Sequence, residues 1–543
     1  MLPFLTQVVL ALSLIPTVYI LYCGLFYRYK RRSLKYLRGP PRTSFLLGTE
    51  YDLLLQTDAF HLESKWFKEY GTVFRANTYF SEDMLMISDP RALQYVLHTS
   101  GYRFPKARDV KQATRFLSGC GIANVDGEVH NRQRKALNPA FSVKQLRQFL
   151  ELFQRSTSSL VAKWKQELHA SLEGSSIINV STWLPKATLD VMGESAFDYK
   201  FGALDGEETE LGTAFDNIFV GSRLYPPKVE LLYRSFRRDL PALVSNILLR
   251  FPTKQERKFL AFLNASKKVG KPMFEKRSKE KAIEQDSKDI LSILIRANQQ
   301  EDIKKSMNED EVLSQIATFI TAGHETTAST TAWMLYSLAR NPKQQSRLYQ
   351  EIREMRERLG PNAPTAQDLD SMPFLNAVIK ETLRRYPIIP NLIREAQSDD
   401  IIPLQFPVTS VSGDAVSQIP VSKGQRVIIN ISMYNMLPQV WGDDAEEWNP
   451  DRFLEPSMKT TTLGVYANLL TFSAGIRACI GWRFAVIQLQ ALTFGLLENF
   501  EFSPPPSGEL DEIQAIPFGL IMPMKKNKWE EGKQMPLFIQ TRK

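Results

Sequence analysis

Cysteine is scarce in this chain: three among 543 residues, at positions 23, 120 and 479. So odd and sparse a set excludes a disulfide framework and fits a reducing compartment. Residues 1–27 carry no charged side chain, and residues 28–42 hold no acidic one. No repeat or long low-complexity segment interrupts the rest. Length alone suggests about three domains, yet the informative residues run from His130 to Gly481 and must converge in one fold. A glycine-rich dinucleotide fingerprint is also missing, so nothing indicates a fused nucleotide-binding unit.

What is present begins with an uncharged run of 23 residues from Leu5 to Tyr27. A spanning helix needs about 20 apolar residues, and Pro16 is tolerated in one. The competing reading, a cleaved signal peptide, fits poorly. The run is too long, early positive charge is missing, and a basic block stands where a cleavage site belongs. Seven basic residues lie in 28–42, which places that flank in the cytosol. They supply seven of the net +9, so residues 43–543 sum to only +2. The charge is juxtamembrane and does not indicate a nucleic-acid partner. The expected layout is a signal anchor (1–27), a basic and Pro-containing linker (28–50) and a catalytic domain (51–543). With that domain in the cytosol, the sequons at Asn179, Asn264 and Asn430 stay unmodified.

Residues 72–75 and 84–87 read as short strands, 107–125 as a loop, and 128–169 as helix. Residues 182–300 hold further helical segments. Ser306-x-x-Glu309 reads as a capping box before an apolar run to Arg340, which Asn341-Pro342 ends. A further helix is expected over 373–386, and hairpins over 395–430. The class is α+β, mainly helical, with small segregated sheets.

The most informative segment is Phe472-Ser473-Ala474-Gly475-Ile476-Arg477-Ala478-Cys479-Ile480-Gly481. Its glycines allow close backbone approach, and its arginine can neutralise a carboxylate. A helix starting at Trp482 can aim N–H groups at the sulfur. The pattern Phe-x-x-Gly-x-Arg-x-Cys-x-Gly resembles the haem-binding loop of the cytochrome P-450 family. The resemblance implies that Cys479 is the axial thiolate of haem b, with Phe472, Gly475, Arg477 and Gly481 framing it.

Three further motifs fall at the family's spacing. Ala322-Gly323-His324-Glu325-Thr326-Thr327 lies in the long helix, where Phe319, Gly323, Thr326 and Thr330 share a face. Glu325–Thr326 resembles the family's acid–alcohol pair, which implies a proton relay. The competing reading is that Thr326 merely bonds the carbonyl four residues back and bends the helix. His324 is assigned no metal role. Glu381 and Arg384 share a helix face at i, i+3. With Trp448-Asn449-Pro450-Asp451-Arg452-Phe453 they imply a buried Glu381–Arg384–Arg452 network, structural and not catalytic. His130 stands where the family often has Trp, and Arg134 follows four later. Both, with Arg394, are candidates for the haem propionates. That basic helix and Arg483 can form a cationic face for an acidic electron donor.

The implied activity is monooxygenation. One oxygen atom from dioxygen enters a lipophilic substrate, terpenoid- or sterol-like in a secondary pathway, at the endoplasmic reticulum membrane. Electrons come from NADPH through a separate cytochrome P-450 reductase, with cytochrome b5 as an optional second donor. The texture around Asn138-Pro139-Ala140-Phe141-Ser142 is similar to fungal microsomal members. Alternatives are a haem-thiolate isomerase or dehydratase acting without dioxygen, a fatty-acid or xenobiotic hydroxylase, and a non-catalytic haem carrier. Pocket walls are expected from 107–125, 319–326, 388–392 and 516–520.

Overall fold

The computed structural model describes residues 33–542, apart from 171–174, 216–217, 219–226, 280–288, 300–305, 456–462 and 518. The expected anchor over residues 5–27, and the basic stretch as far as residue 32, lie outside these residues. Among the described residues, no helix is long and apolar enough to cross a membrane. The described chain is mainly helical, with four small sheets.

Two consecutive helices, Glu309–Gly323 and Glu325–Arg340, are buried over most of their length. The sequence predicts one uninterrupted helix here; the structure breaks it at His324. Side-chain hydroxyls explain the break. Thr326 Oγ1 donates to the Ala322 carbonyl at 2.8 Å, Thr327 Oγ1 to that of Gly323 at 3.3 Å, and Thr188 Oγ1 to that of His324 at 3.0 Å. Hydroxyls that take helix carbonyls loosen the backbone ladder and bend it. The capping box lies two residues beyond the expected one. Asn308 accepts from Glu311 N at 2.9 Å, and Glu311 accepts from Asn308 N at 3.0 Å. The extended backbone of Asn308 (φ −77°, ψ 169°) turns its side chain onto the first turn.

Two other expectations need correction. Residues 107–125 are not all loop: Arg108–Ser118 is a helix, closed by Gly119 at φ 54°. Val110, Ala113 and Leu117 fall at i, i+3 and i+7, a helical period that the loop reading passed over. The helix expected over 128–169 is three helices, Gly127–Leu137, Val143–Arg147 and Leu150–His169. Pro139 turns the chain into a 3-10 segment, and Ser142 caps the next helix by accepting from Gln145 N.

The largest sheet runs in the order Val73–Asn77, Asp83–Ile87, Arg426–Asn430, Asn391–Glu395. Its two central strands are parallel, with Met84 opposite Arg426. Of the hairpins expected over 395–430, only Asp400–Thr409 with Ala415–Val421 forms as such. Arg426–Asn430, buried throughout, leaves to join the larger sheet. Near the C-terminus, Ile513–Pro517 pairs with Ile521–Lys525, and Pro536–Thr541 lies between Ser175–Asn179 and Phe500–Ser503.

Trp482–Asn499 packs on Leu150–His169. A Cβ at Gly495 would come within 2.6 Å of Thr157 Cγ2, and the rings of Phe153 and Phe484 stand 4.9 Å apart. Each fully buried side chain of this size contributes about 1.5–3 kcal/mol. The loop that ends at Gly481 therefore starts from a rigid base.

Candidate functional site

The loop from Phe472 to Gly481 holds its form by local bonds. Cys479 N donates to the Phe472 carbonyl at 2.8 Å. Gly475 sits at φ 66°, and a Cβ there would overlap the Leu97 carbonyl. Gly481 is different. Its φ is −91°, and a Cβ would meet only Phe141 at 3.6 Å. Its part is electrostatic: as the residue before Trp482–Asn499, it donates its N–H toward the Cys479 thiol. Burial pushes that thiol up, while the Gly481 N–H and the Arg134 charge oppose the rise. Cys479 lies among protein atoms yet keeps free side-chain surface. A group with both properties faces an internal space. Ala322 is likewise exposed, within a helix whose residues 312–320 are all buried.

Cations converge beside the loop. Arg134 Nη1 donates to the Ala478 carbonyl at 2.6 Å. Arg477 pairs with Asp126, donates to the Val125 carbonyl at 3.2 Å, and lies 5.2 Å from the Tyr102 ring centre. Arg394 is 5 % exposed, and its guanidinium makes one marginal bond, 3.5 Å to the Ile393 carbonyl. Lys106 stands across from Arg394 in an isolated antiparallel bridge. Burial, then the Arg477 and Arg394 charges, lower its pKa to about 7. Burial likewise brings Arg394 down to about 10. His130 hydrogen-bonds the Tyr102 hydroxyl at 2.7 Å through Nδ1. Burial and neighbouring cations hold its pKa near 3, so it offers a hydrogen bond and no charge.

Of these four basic side chains only Arg477 pairs with a carboxylate, Asp126, which also binds Lys111 at 2.9 Å. Buried positive charge in excess is costly unless an anion meets it. The residues present fit haem: a thiol with free surface, and beside it a cation cluster suited to two propionates. Lys106, Tyr102 and Asp126 were not singled out in the sequence. They lie outside any local motif, and only the fold gathers them.

Glu381, Arg384 and Arg452 meet as the sequence implies. Arg384 bonds Glu381 at 2.7 and 2.8 Å, Arg452 Nε lies 3.4 Å from Glu381, and none is more than 5 % exposed. Arg384 also donates to the carbonyls of Asn435 and Ala445. Asn435 in turn accepts from Leu470 N at 3.0 Å and donates to Thr471 Oγ1 at 2.8 Å. The network therefore reaches the residues just before Phe472.

The acid and the alcohol are parted. Thr326 bonds Ala322, whereas the Glu325 carboxylate accepts two bonds from Lys533 and one from Ser329. The face expected to run through Phe319, Gly323, Thr326 and Thr330 is not one open surface. Phe319 packs between Phe141 and Phe197, Thr330 is buried, and a Cβ on Gly323 would overlap Met192. Gly323 serves helix packing; Ala322 and Thr326 hold the more open positions. Of the expected walls, Cys120 N and Ile122 N bond Ser314 and Gln315 on the central helix. Ile521 N bonds the Ile388 carbonyl at 2.8 Å, which joins the other two walls.

Comparison with known proteins agrees with this geometry. The family model described as Cytochrome P-450 matches residues 39–530. Cytochrome P-450 monooxygenase 128 of Postia placenta is 35% identical over 515 residues, covering 93% of this chain and 92% of that one. Cytochrome P-450 monooxygenase 205 of the same fungus is 33% identical over 524 residues, with the same coverage. Cytochrome P-450 monooxygenase claO of Ampulloclitocybe clavipes is 31% identical over 514 residues, again covering 93% and 92%. A family match across nearly the whole described chain, on a fold that presents a cysteine and a cation cluster, decides the class: the chain belongs to the cytochrome P-450 family and is a haem-thiolate monooxygenase.

Proposed function

We propose that Cys479 ligates haem iron and that Lys106, Arg134, Arg394 and Arg477 receive the propionates, with His130 adding a neutral hydrogen bond. The observation that carries this reading is the excess of half-buried and buried cations beside a cysteine with free side-chain surface. Haem bound there supplies dioxygen activation. The chain's own residues do the rest. Gly481 N–H and Arg134 favour the thiolate form of Cys479. The Glu381–Arg384–Arg452 network fixes the strand of chain that carries Phe472. Thr326, beside the open position at Ala322, holds a proton near the reacting face, and Glu325 supplies it.

The substrate is lipophilic, terpenoid- or sterol-like, and it meets Ala322, Ile388 and Leu520. The apolar character of these walls supports a lipophilic substrate. Electrons come from NADPH through a separate reductase, with cytochrome b5 as an optional second donor. The uncharged run over residues 5–27 and its basic flank support a single-pass anchor in the endoplasmic reticulum, the catalytic domain lying in the cytosol. Relatives named monooxygenases favour oxygen insertion over rearrangement without dioxygen. The test is turnover with reductase, NADPH and labelled dioxygen against a terpenoid and sterol panel, read by mass spectrometry. One labelled atom per product supports the proposal. Product formed without NADPH or without label contradicts it.

A further inference from the structure

Glu325 is 2 % exposed at the start of its helix, yet it meets a charged partner from the far end of the chain. Lys533 Nζ donates to its two carboxylate oxygens at 2.9 and 2.7 Å. Ser329 Oγ donates to Oε1 at 3.1 Å, and His324 Nε2 lies 3.8 Å from Oε2. Burial pushes the Glu325 carboxyl up, but Lys533, then His324, and the hydrogen bonds outweigh it and hold it below the usual range. His324 is itself neutral near pH 7, because burial lowers its pKa to about 4.

Charged groups on the surrounding elements turn elsewhere. Asp190 accepts from the N–H of Ala203 and Leu204, Glu194 pairs with Arg155, and Lys186 lies over Trp183. Glu381 and Arg384 bind each other, Glu498 binds Arg356, Glu501 faces Arg542, and Lys525 faces Glu509 and Glu512. Lys533 is held by its backbone. It bridges to Met524, its carbonyl accepts from Asn179 Nδ2 at 3.4 Å, and Gln534 N bonds the Pro523 carbonyl at 2.9 Å. The Lys533 side chain is 21% exposed. The buried carboxylate therefore reaches toward solvent through this one lysine.

We propose that Lys533 is a positioning residue that holds Glu325 ionised and turned away from Thr326, and so gates proton supply to the break between the two central helices. When the pair opens, the carboxylate takes one proton from water on the Lys533 side and gives one up on the Thr326 side; the carboxylate is regenerated and one proton has moved inward. The gating half rests on the relay reading of Glu325–Thr326; the positioning half does not.

The experiment is an infrared pH titration of full-length holoenzyme. The protonated Glu325 carboxyl band is assigned by its loss in Glu325→Gln. In Lys533→Met the band midpoint is expected to move to higher pH, because the opposing positive charge is gone, and Lys533→Arg is expected to restore it. The pH profile of product formed per NADPH is expected to move in the same direction. Should Lys533→Met yield no loaded enzyme, Lys533→Gln, which keeps a hydrogen-bonding group without the charge, is titrated in its place. A band midpoint unchanged by removal of the charge overturns the proposal. A band that moves while the coupling profile stays fixed upholds the positioning half and overturns the gating half together with the relay.

Discussion

Single residues separate steric need from chemical need. Gly475 occupies φ 66° with the Leu97 carbonyl behind it, whereas Gly481 has ordinary space around it. Gly475→Ala is therefore expected to destabilise the protein by about 1–3 kcal/mol or more from strain at positive φ. Gly481→Ala is expected to stay close to the parent. Thermal melting of both variants checks the contrast; equal losses would contradict it. Thr326→Ala removes a hydroxyl that bonds the Ala322 carbonyl. If it handles a proton, product per NADPH falls about tenfold, which corresponds to about 1.4 kcal/mol, and peroxide rises while haem loading stays normal. An unchanged ratio would leave Thr326 as a helix-bending residue alone. Lys106 gives a pH dependence. Its folded-state pKa of about 7 lies below the ordinary lysine value. Between those two values the unfolded chain binds more protons, so stability of the haem-free protein rises with pH through that window. Lys106→Met is expected to flatten the rise in melting temperature above pH 7, and an undiminished slope would show that Lys106 is not responsible.

Elements show what the sequence made legible. The loop from Phe472 to Gly481 and the pair Glu381–Arg384 are local patterns, so adjacent residues carry the information. The paired strands of Val73–Asn77 and Asp83–Ile87 were equally readable, because their apolar residues are compact and bounded. The helix break at His324 was not. It depends on hydroxyls competing for carbonyls, one of them Thr188 on another helix. The capping residue moved from Ser306 to Asn308 because backbone conformation, and not residue type alone, selects the cap. Lys106 and Lys533 stayed hidden because their partners are far away in sequence; Lys533 and Glu325 are 208 positions apart. The buried network linking the Pro373–Arg385 helix to Asn435 and Thr471 leads to a test at this scale. Glu381→Ala leaves Arg384 and Arg452 without their shared carboxylate. Breaking one partner of a buried pair costs about 3–5 kcal/mol, so haem-loaded protein is expected to be lost. A folded, normally loaded variant would show that the network is dispensable.

For the whole molecule, the largest buried ensemble is mainly helical, with the C-terminal strands against it. It holds the central helix pair, the Trp482–Asn499 helix and the Leu150–His169 helix around the site. Deleting residues 1–27 is expected to move the protein from an integral membrane fraction to a peripheral or soluble one. Resistance of the truncated protein to alkaline carbonate extraction would argue against a single anchor. The central claim is that this fold presents Cys479 to haem iron as a thiolate. Its most direct measurement is the absorption spectrum of the reduced carbonyl complex, taken on the full chain and on Cys479→His. The expected result is a thiolate-type band in the parent that is replaced by an imidazole-type band in the variant, with haem retained by the cation cluster. A thiolate-type band that survives in Cys479→His would contradict it.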